Sequence, residues 1–318
     1  MSDTQPEWFT AQQIAQRISP DRARRLIRQA IVDGFDPSED PHRIGVPAGA
    51  GHMLLMPSTL TQWTGVKVAT VSPENAQRGL PRIQATYLLM DTRTLTPTAL
   101  LDGAALTTLR TPAVSAAVAE DLAPAEAKHL VVFGTGPQAE AHVHAMLAIR
   151  PLERVTIVGR SPEKVEHLVA ELGQHGPQVV AGTADAVAEA EIVVCATSAA
   201  GPLFDGSLVP DGACVIAMGS HEPDRRELDA ALMGRSLVVV EDPAAALREA
   251  GDVVMAIDDG ALAEADLVPL RASITGEVAR HDDRPNVFKG TGMSWEDLAV
   301  AVGVLEDREL DEERGVHR

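Results

Sequence analysis

The sequence predicts an α/β protein: a doubly wound parallel sheet preceded by a smaller α+β region. Three observations carry that expectation. From Lys128 onward, continuous apolar β-rich runs alternate with helical segments, the pattern of a parallel sheet covered on both faces. Before about residue 112, short strand-like runs follow one another without helices between them, which implies antiparallel or mixed pairing. The glycine pattern Gly134-Thr135-Gly136-Pro137-Gln138-Ala139 stands directly after an apolar run and directly before a helix. A chain of 318 residues is long enough for about two domains of ordinary size.

The elements follow in order. Thr10 and Gln13 have capping-box spacing, and Ser19-Pro20 opens a second helix as N-cap and first turn. Arg22, Arg24, Arg25 and Arg28 read as the solvated face of that helix. Residues 33–51, rich in Gly, Pro and Asp, read as a loop. Strands are expected at His52–Met56, Val66–Val71, Ile83–Met90 and Ala99–Leu101, with a turn around Ser72–Asn75. An Ala-rich helix from Thr111 to about Leu122 leads to the next region. There the strands are His129–Phe133, Arg154–Val158, Val179-Val180, Ile192–Ala196, Cys214–Met218 and Leu237–Val240, with helices to about Ile149 and over Ser161–Leu172. A last helix follows Phe288–Leu298, and Glu306–Arg314, with six acids and two arginines, reads as its frayed end.

Composition excludes several function classes. Lys+Arg 27 against Asp+Glu 46 gives a net charge of −19, which repels nucleic-acid phosphates and anionic lipid. Neither nucleic acid nor membrane is expected as a partner. The two cysteines, Cys195 and Cys214, lie in apolar runs and give no disulfide framework and no metal spacing. His142 and His144, two apart on a helix, lie on different faces, so no metal is expected. The segment MSDTQPEWFT has no basic stretch followed by an apolar one, and no apolar run approaches the ~20 residues of a membrane helix. A cytoplasmic protein is expected.

The glycine pattern assigns a cofactor class. Gly134 permits a tight strand-to-helix turn, Gly136 leaves the pyrophosphate unobstructed, and Ala139 lets the helix pack close to the strand. This is the dinucleotide fingerprint of a Rossmann sheet, with phosphates on the helix N-terminus. The next strand ends in Val158-Gly159-Arg160-Ser161-Pro162, without the acid that would bind a ribose 2′-hydroxyl. Arg160 can pair with a 2′-phosphate and Ser161 can donate to it, so NADP(H) is expected in preference to NAD(H). Later strand ends, at Thr197-Ser198 and Met218-Gly219, should also meet the cofactor.

Further motifs resemble those of one family. They are Arg43…Met56-Pro57, Gly65-Val66-Lys67, Asn75…Gly79-Leu80-Pro81 and Leu106–Thr111. Gly134–Ala139, Gly219…Pro223…Arg226–Asp229 and Gly290-Thr291-Gly292…Glu296-Asp297-Leu298 continue the series. Their identity and order resemble the ornithine cyclodeaminase/μ-crystallin family, from about residue 9 to 303. The resemblance implies a substrate-binding and dimerisation domain, residues 1–112 plus 294–318, around an inserted Rossmann domain, residues 113–293. It also implies a homodimer and NAD(P)-linked interconversion of an imine and an amino acid. The substrate would be a small amino acid, a keto acid with an amine, or a cyclic imine.

By the same resemblance, Arg43 and Arg110 hold the substrate carboxylate, Lys67 lies beside the substrate, and Thr291 lies next to the nicotinamide. Bidentate guanidinium binding and a lysine with a shiftable pKa suit those roles. Two departures bear on the substrate. Ornithine cyclodeaminases carry an acid where Leu54 stands, and an Asp in the segment that reads Gly219-Ser220-His221 here. His221 then joins Lys67 and water as a candidate proton donor. Two alternatives stay open: cyclodeamination of ornithine or lysine with an internally recycled cofactor, and NADPH binding without catalysis.

Overall fold

The computed structural model describes residues 5–174 and 176–313. Residues 1–4 and 314–318, at the ends of the expected first domain, lie outside the described residues, as does Arg314 of the acidic tail. The chain divides into two compact units, residues 1–110 with 293–318 and residues 111–292.

The first unit opens with β1 (Glu7–Phe9), α1 (Ala11–Arg17), α2 (Pro20–Val32), β2 (Ile44–Ala48), β3 (Gly51–Leu60), β4 (Trp63–Val71), β5 (Ile83–Asp91) and β6 (Pro97–Asp102). Helix α3 (Gly103–Leu122) starts in it. The second unit holds β7 (His129–Phe133), α4 (Pro137–Leu147), β8 (Arg154–Val158), α5 (Pro162–Leu172), β9 (Gln178–Ala181), β10 (Ile192–Cys195) and β11 (Cys214–Ala217). It continues with α6 (Ala230–Arg235), β12 (Leu237–Val240), α7 (Pro243–Glu249), α8 (Gly251–Asp258), β13 (Leu267–Pro269), α9 (Leu270–Ile274) and β14 (Asn286–Lys289). Helix α10 (Ser294–Glu313) belongs to the first unit again.

The second unit is an eight-stranded, all-parallel sheet in the order β13-β12-β14-β11-β10-β7-β8-β9. The order reverses between β7 and β10, which opens a crevice outside the carboxyl ends of those strands. The core strands are mostly apolar because both faces of the sheet are covered: Val131, Val193, Val215, Val238 and Val287 are all fully buried.

The first unit is a six-stranded sheet, β1-β6-β5-β4-β3-β2, antiparallel except for the β1–β6 pair. Its register aligns Phe9, Leu101, Tyr87, Lys67 and Met56 in one row. Directly paired residues share a face, and all five are buried. Helix α10 packs on that face over β3 and β4, with α2 against it. No helix among the described residues is long and apolar enough to cross a membrane.

Four strands and one helix start escape the sequence reading. β2 falls in the stretch read as a loop; it holds Gly45 and Pro47, and an edge strand tolerates a proline that a central one does not. β1 and β13 have only three residues each, too short to show a period. β14 is central but carries Asn286 and Lys289, whose polar groups find buried partners: Asn286 brackets the backbone of His281, and Lys289 pairs with Asp252. Helix α3 starts at Gly103 rather than Thr111 because Asp102 caps it, accepting from Ala104 N and Ala105 N at 3.0 and 2.9 Å.

Candidate active site

In the first unit, Lys67 stands in the buried row between Tyr87 and Met56 and is only 3% exposed. Its Nζ donates to Asp297 Oδ2 at 2.6 Å and to Thr107 Oγ1 at 3.1 Å. Arg110, on α3, donates from Nη1 to Glu296 Oε2 at 2.7 Å, and its Nε stands 3.5 Å from Asp297 Oδ1. Both acids lie in the first turn of α10, where the helix dipole favours negative charge. Asp40 Oδ2 accepts from Trp295 N at 3.1 Å and its Oδ1 from Ser58 Oγ at 2.6 Å, which fixes the start of that helix.

The cluster holds charge in side chains that are buried from solvent. Burial pulls the Lys67 ammonium down to about 8; Asp297 opposes the shift and Arg110 adds to it. Burial pushes Asp40 up to about 6 against the hydrogen bonds from Ser58 and Trp295. Tyr87, beside Lys67 in register, is held well above the usual phenol range by burial, so it stays a neutral O–H. Buried ion pairs recover their desolvation cost poorly, so a cluster of this kind marks chemistry more than stability.

Arg43 is half-buried immediately before β2. The register pairs Ile44 with Leu55 and Met56 with Lys67, so Arg43 comes level with Lys67 two strands away. By strand spacing that is about 10 Å between backbones. Leu54 is half-buried on the same face as Met56 and puts an apolar side chain, not an acid, at that place.

The second unit contains the dinucleotide cradle. Gly134 has φ 126°, and a Cβ there would lie 2.5 Å from Ala196 O. Gly136 is the N-cap of α4 and makes no side-chain cap; a Cβ on it would meet nothing within 4 Å, so space stands open before the first-turn amides. Pro137 occupies the first helical turn, Ala139 is fully buried, and Thr135 packs over Gly159. Gln138 O binds His142 Nδ1 at 2.7 Å, and His142 Nε2 meets Ser115 Oγ at 2.9 Å. Burial lowers His142 to about 4, so it is a neutral pin holding α4. These features fit a pyrophosphate.

Arg160 is exposed at the end of β8 and makes no ion pair among the described residues. Ser161 caps α5, its Oγ accepting from Lys164 N at 3.5 Å. Thr197 and Gly219 follow β10 and β11, and both turn onto Glu227: Thr197 N and Oγ1 reach its Oε1 at 2.9 and 2.6 Å, and Gly219 N reaches its Oε2 at 2.7 Å. Ser198 is exposed beside Thr197, and Met218 is half-buried against Gly290. Thr291 N and Oγ1 bind Glu241 Oε2 at 2.8 and 3.2 Å, so both of its donors turn inward. His221 is exposed on the loop after β11.

The structure thus gathers Lys67 and Arg110 around Asp297, and gathers the glycine turn with the ends of β10 and β11 at one sheet edge. Sequence reasoning missed the acids that organise both. Glu227 and Glu296-Asp297 stand in the sequence as members of motif runs with no partner indicated, and nothing local marks Asp40, Glu241 or Asp252. Lys289, a charge ending an apolar run, was the one visible signal of a buried partner.

Comparison with known proteins extends the geometry. A profile of the ornithine cyclodeaminase/mu-crystallin family matches residues 29–312. A Δ1-pyrroline-2-carboxylate reductase of Colwellia psychrerythraea is 32% identical over 309 residues, covering 94% of this chain and 98% of that one. A Δ1-pyrroline-2-carboxylate/Δ1-piperideine-2-carboxylate reductase of Azospirillum brasilense is 33% identical over 264 residues, 82% of each chain. The structure of Thermococcus litoralis Δ1-pyrroline-2-carboxylate reductase with NADH and L-proline superposes with a TM-score of 0.88 at 26% identity, covering 98% of both chains.

Proposed function

The chain belongs to the ornithine cyclodeaminase/mu-crystallin family, and on that basis we propose that it is an NAD(P)H-dependent reductase of cyclic imines that carry a carboxylate on the imine carbon. Δ1-Pyrroline-2-carboxylate and its six-membered homologue are the substrates in view. The observation that carries the reading is the buried Lys67, paired with Asp297 and flanked by Arg110. When bound, the reduced dinucleotide supplies the hydride that the imine carbon accepts.

The chain's own groups do the rest. The Lys67 ammonium donates a proton to the imine nitrogen, so that C=N becomes CH–NH. With its pKa near 8, Lys67 is charged at neutral pH yet gives up a proton readily. Asp297 orients the ammonium. Arg110, with Arg43, receives the carboxylate and fixes the α-carbon. No carboxylate stands at Leu54 to hold a distal ammonium, which favours an imine without one over ornithine.

The assay is direct. The purified protein should oxidise NADPH or NADH with Δ1-pyrroline-2-carboxylate or Δ1-piperideine-2-carboxylate. Ammonia release from ornithine without net cofactor change would favour cyclodeamination instead.

Two finer readings rest on single features. The exposed Arg160 at the end of β8 supports NADPH over NADH, with the guanidinium on the 2′-phosphate. Arg160→Ala should lower kcat/KM for NADPH by about tenfold, one exposed charge-assisted contact, and leave NADH unchanged. Equal loss with both dinucleotides would contradict the preference.

The other is a homodimer. The face of the six-stranded sheet opposite α10 presents Leu55, Val66, Val68, Leu88, Met90 and Leu100 half-buried, with Trp8 47% and Ile44 52% exposed. An apolar sheet face of that extent suits a second copy packed face to face. Light scattering should give twice the chain mass for the protein and a monomer for Val68→Asp.

A further inference from the structure

The β10–β11 ladder runs in register from Ile192–Cys214 to Cys195–Ala217 and closes with Met218 N donating to Cys195 O at 3.0 Å. Beyond that point a carboxylate takes the ladder's place. Thr197 N and Oγ1 share Glu227 Oε1, and Gly219 N takes Oε2, so one side chain spans the two strand ends. Glu227 is fully buried, and a Cβ at Gly219 would lie 2.0 Å from Thr197 O and 2.4 Å from Glu227 Oε1. The fit leaves room for glycine alone.

Glu227 is itself anchored from behind. Its amide and that of Leu228 donate to Asp252 Oδ1 at 2.7 and 2.8 Å, and Asp252 Oδ2 lies 3.1 Å from Lys289 Nζ. Lys289 in turn donates to Ser220 O at 2.5 Å, on the same loop as Gly219. Asp252 and Lys289 are buried, within the second unit. The carboxylate therefore cannot drift, and it imposes its position on Thr197 and Gly219.

We propose that Glu227 is a positioning residue for the dinucleotide, holding the ends of β10 and β11 at the spacing the cofactor requires. This rests on the reading of the second unit as the NAD(P)H site. A carboxylate between the strands accepts three donors where a continued ladder would bring the strands together; the splay it maintains lies at the carboxyl edge where such sheets take ligands.

The test uses Glu227→Gln, whose Nε2 faces an amide that needs an acceptor. NADPH and NADH titrations followed by fluorescence give affinity, and steady-state rates separate the two KM values. The variant should bind dinucleotide about tenfold or more weakly and raise KM for dinucleotide, with KM for the imine unchanged. Val187→Ala, a buried truncation preceding β10, should lower the unfolding midpoint without changing dinucleotide affinity. Should Glu227→Gln not fold, Thr197→Val removes only the hydroxyl donor and should weaken dinucleotide binding in the same way. Unchanged affinity in the folded variant overturns the proposal, as does an equal affinity loss in Val187→Ala. Wild-type protein that binds neither dinucleotide overturns the cofactor reading itself, and this proposal with it.

Discussion

Lys67→Met lowers kcat for imine reduction by about 10²–10⁴-fold, the range for a positioned proton donor, while dinucleotide affinity stays unchanged. The pH profile separates this role from a packing role. Because burial lowers Lys67 to about 8, kcat/KM of the wild type, which reports the free enzyme, should be level below that pH and fall about tenfold per unit above it. The sign follows from the role: a donor must carry its proton, and deprotonation removes activity. In Lys67→Met the alkaline limb should vanish along with the rate. Retention of the limb would assign it to another group, and a mutant with wild-type kcat would remove Lys67 from the chemistry.

Arg110→Met has two effects that separate. It removes the guanidinium that pairs with Glu296 and lies beside Asp297, two acids that are fully buried. Breaking a buried pair from one side costs about 3–5 kcal/mol, so chemical denaturation should show a loss of that order. Adding Glu296→Gln removes one of the two buried charges that lose the guanidinium and should restore part of the stability. It should not restore activity if Arg110 holds the substrate carboxylate in the proposed role. A double variant that regains both stability and turnover would make Arg110 a structural partner of α10 and nothing more.

The parallel sheet was legible because its strands, buried on both faces, are continuous apolar runs, and because Gly134, Gly136 and Ala139 need their residue types for backbone reasons. Lys67 and Arg110 were legible through motif order, since a lysine in a strand carries no local mark of being buried. What escaped was whatever depends on long-range pairing. Asp297 meets Lys67 across 230 positions, and Glu227 meets Thr197 across 30, so neither acid differs locally from a cap or a turn. β14 escaped for the same reason: Asn286 and Lys289 are tolerable in a central strand only because partners elsewhere satisfy them. The net charge of −19 described the surface, while the site concentrates Lys67 and Arg110, each matched by an acid.

The central claim is hydride addition to the carbon of a cyclic imine. Its most direct measurement is mass spectrometry of the product formed from Δ1-pyrroline-2-carboxylate with NADPH or NADH carrying deuterium at C4 in the transferred position. Proline with one deuterium on the α-carbon, formed in step with loss of the reduced cofactor, is the predicted result. Unlabelled proline, or no proline from either cofactor, would contradict it.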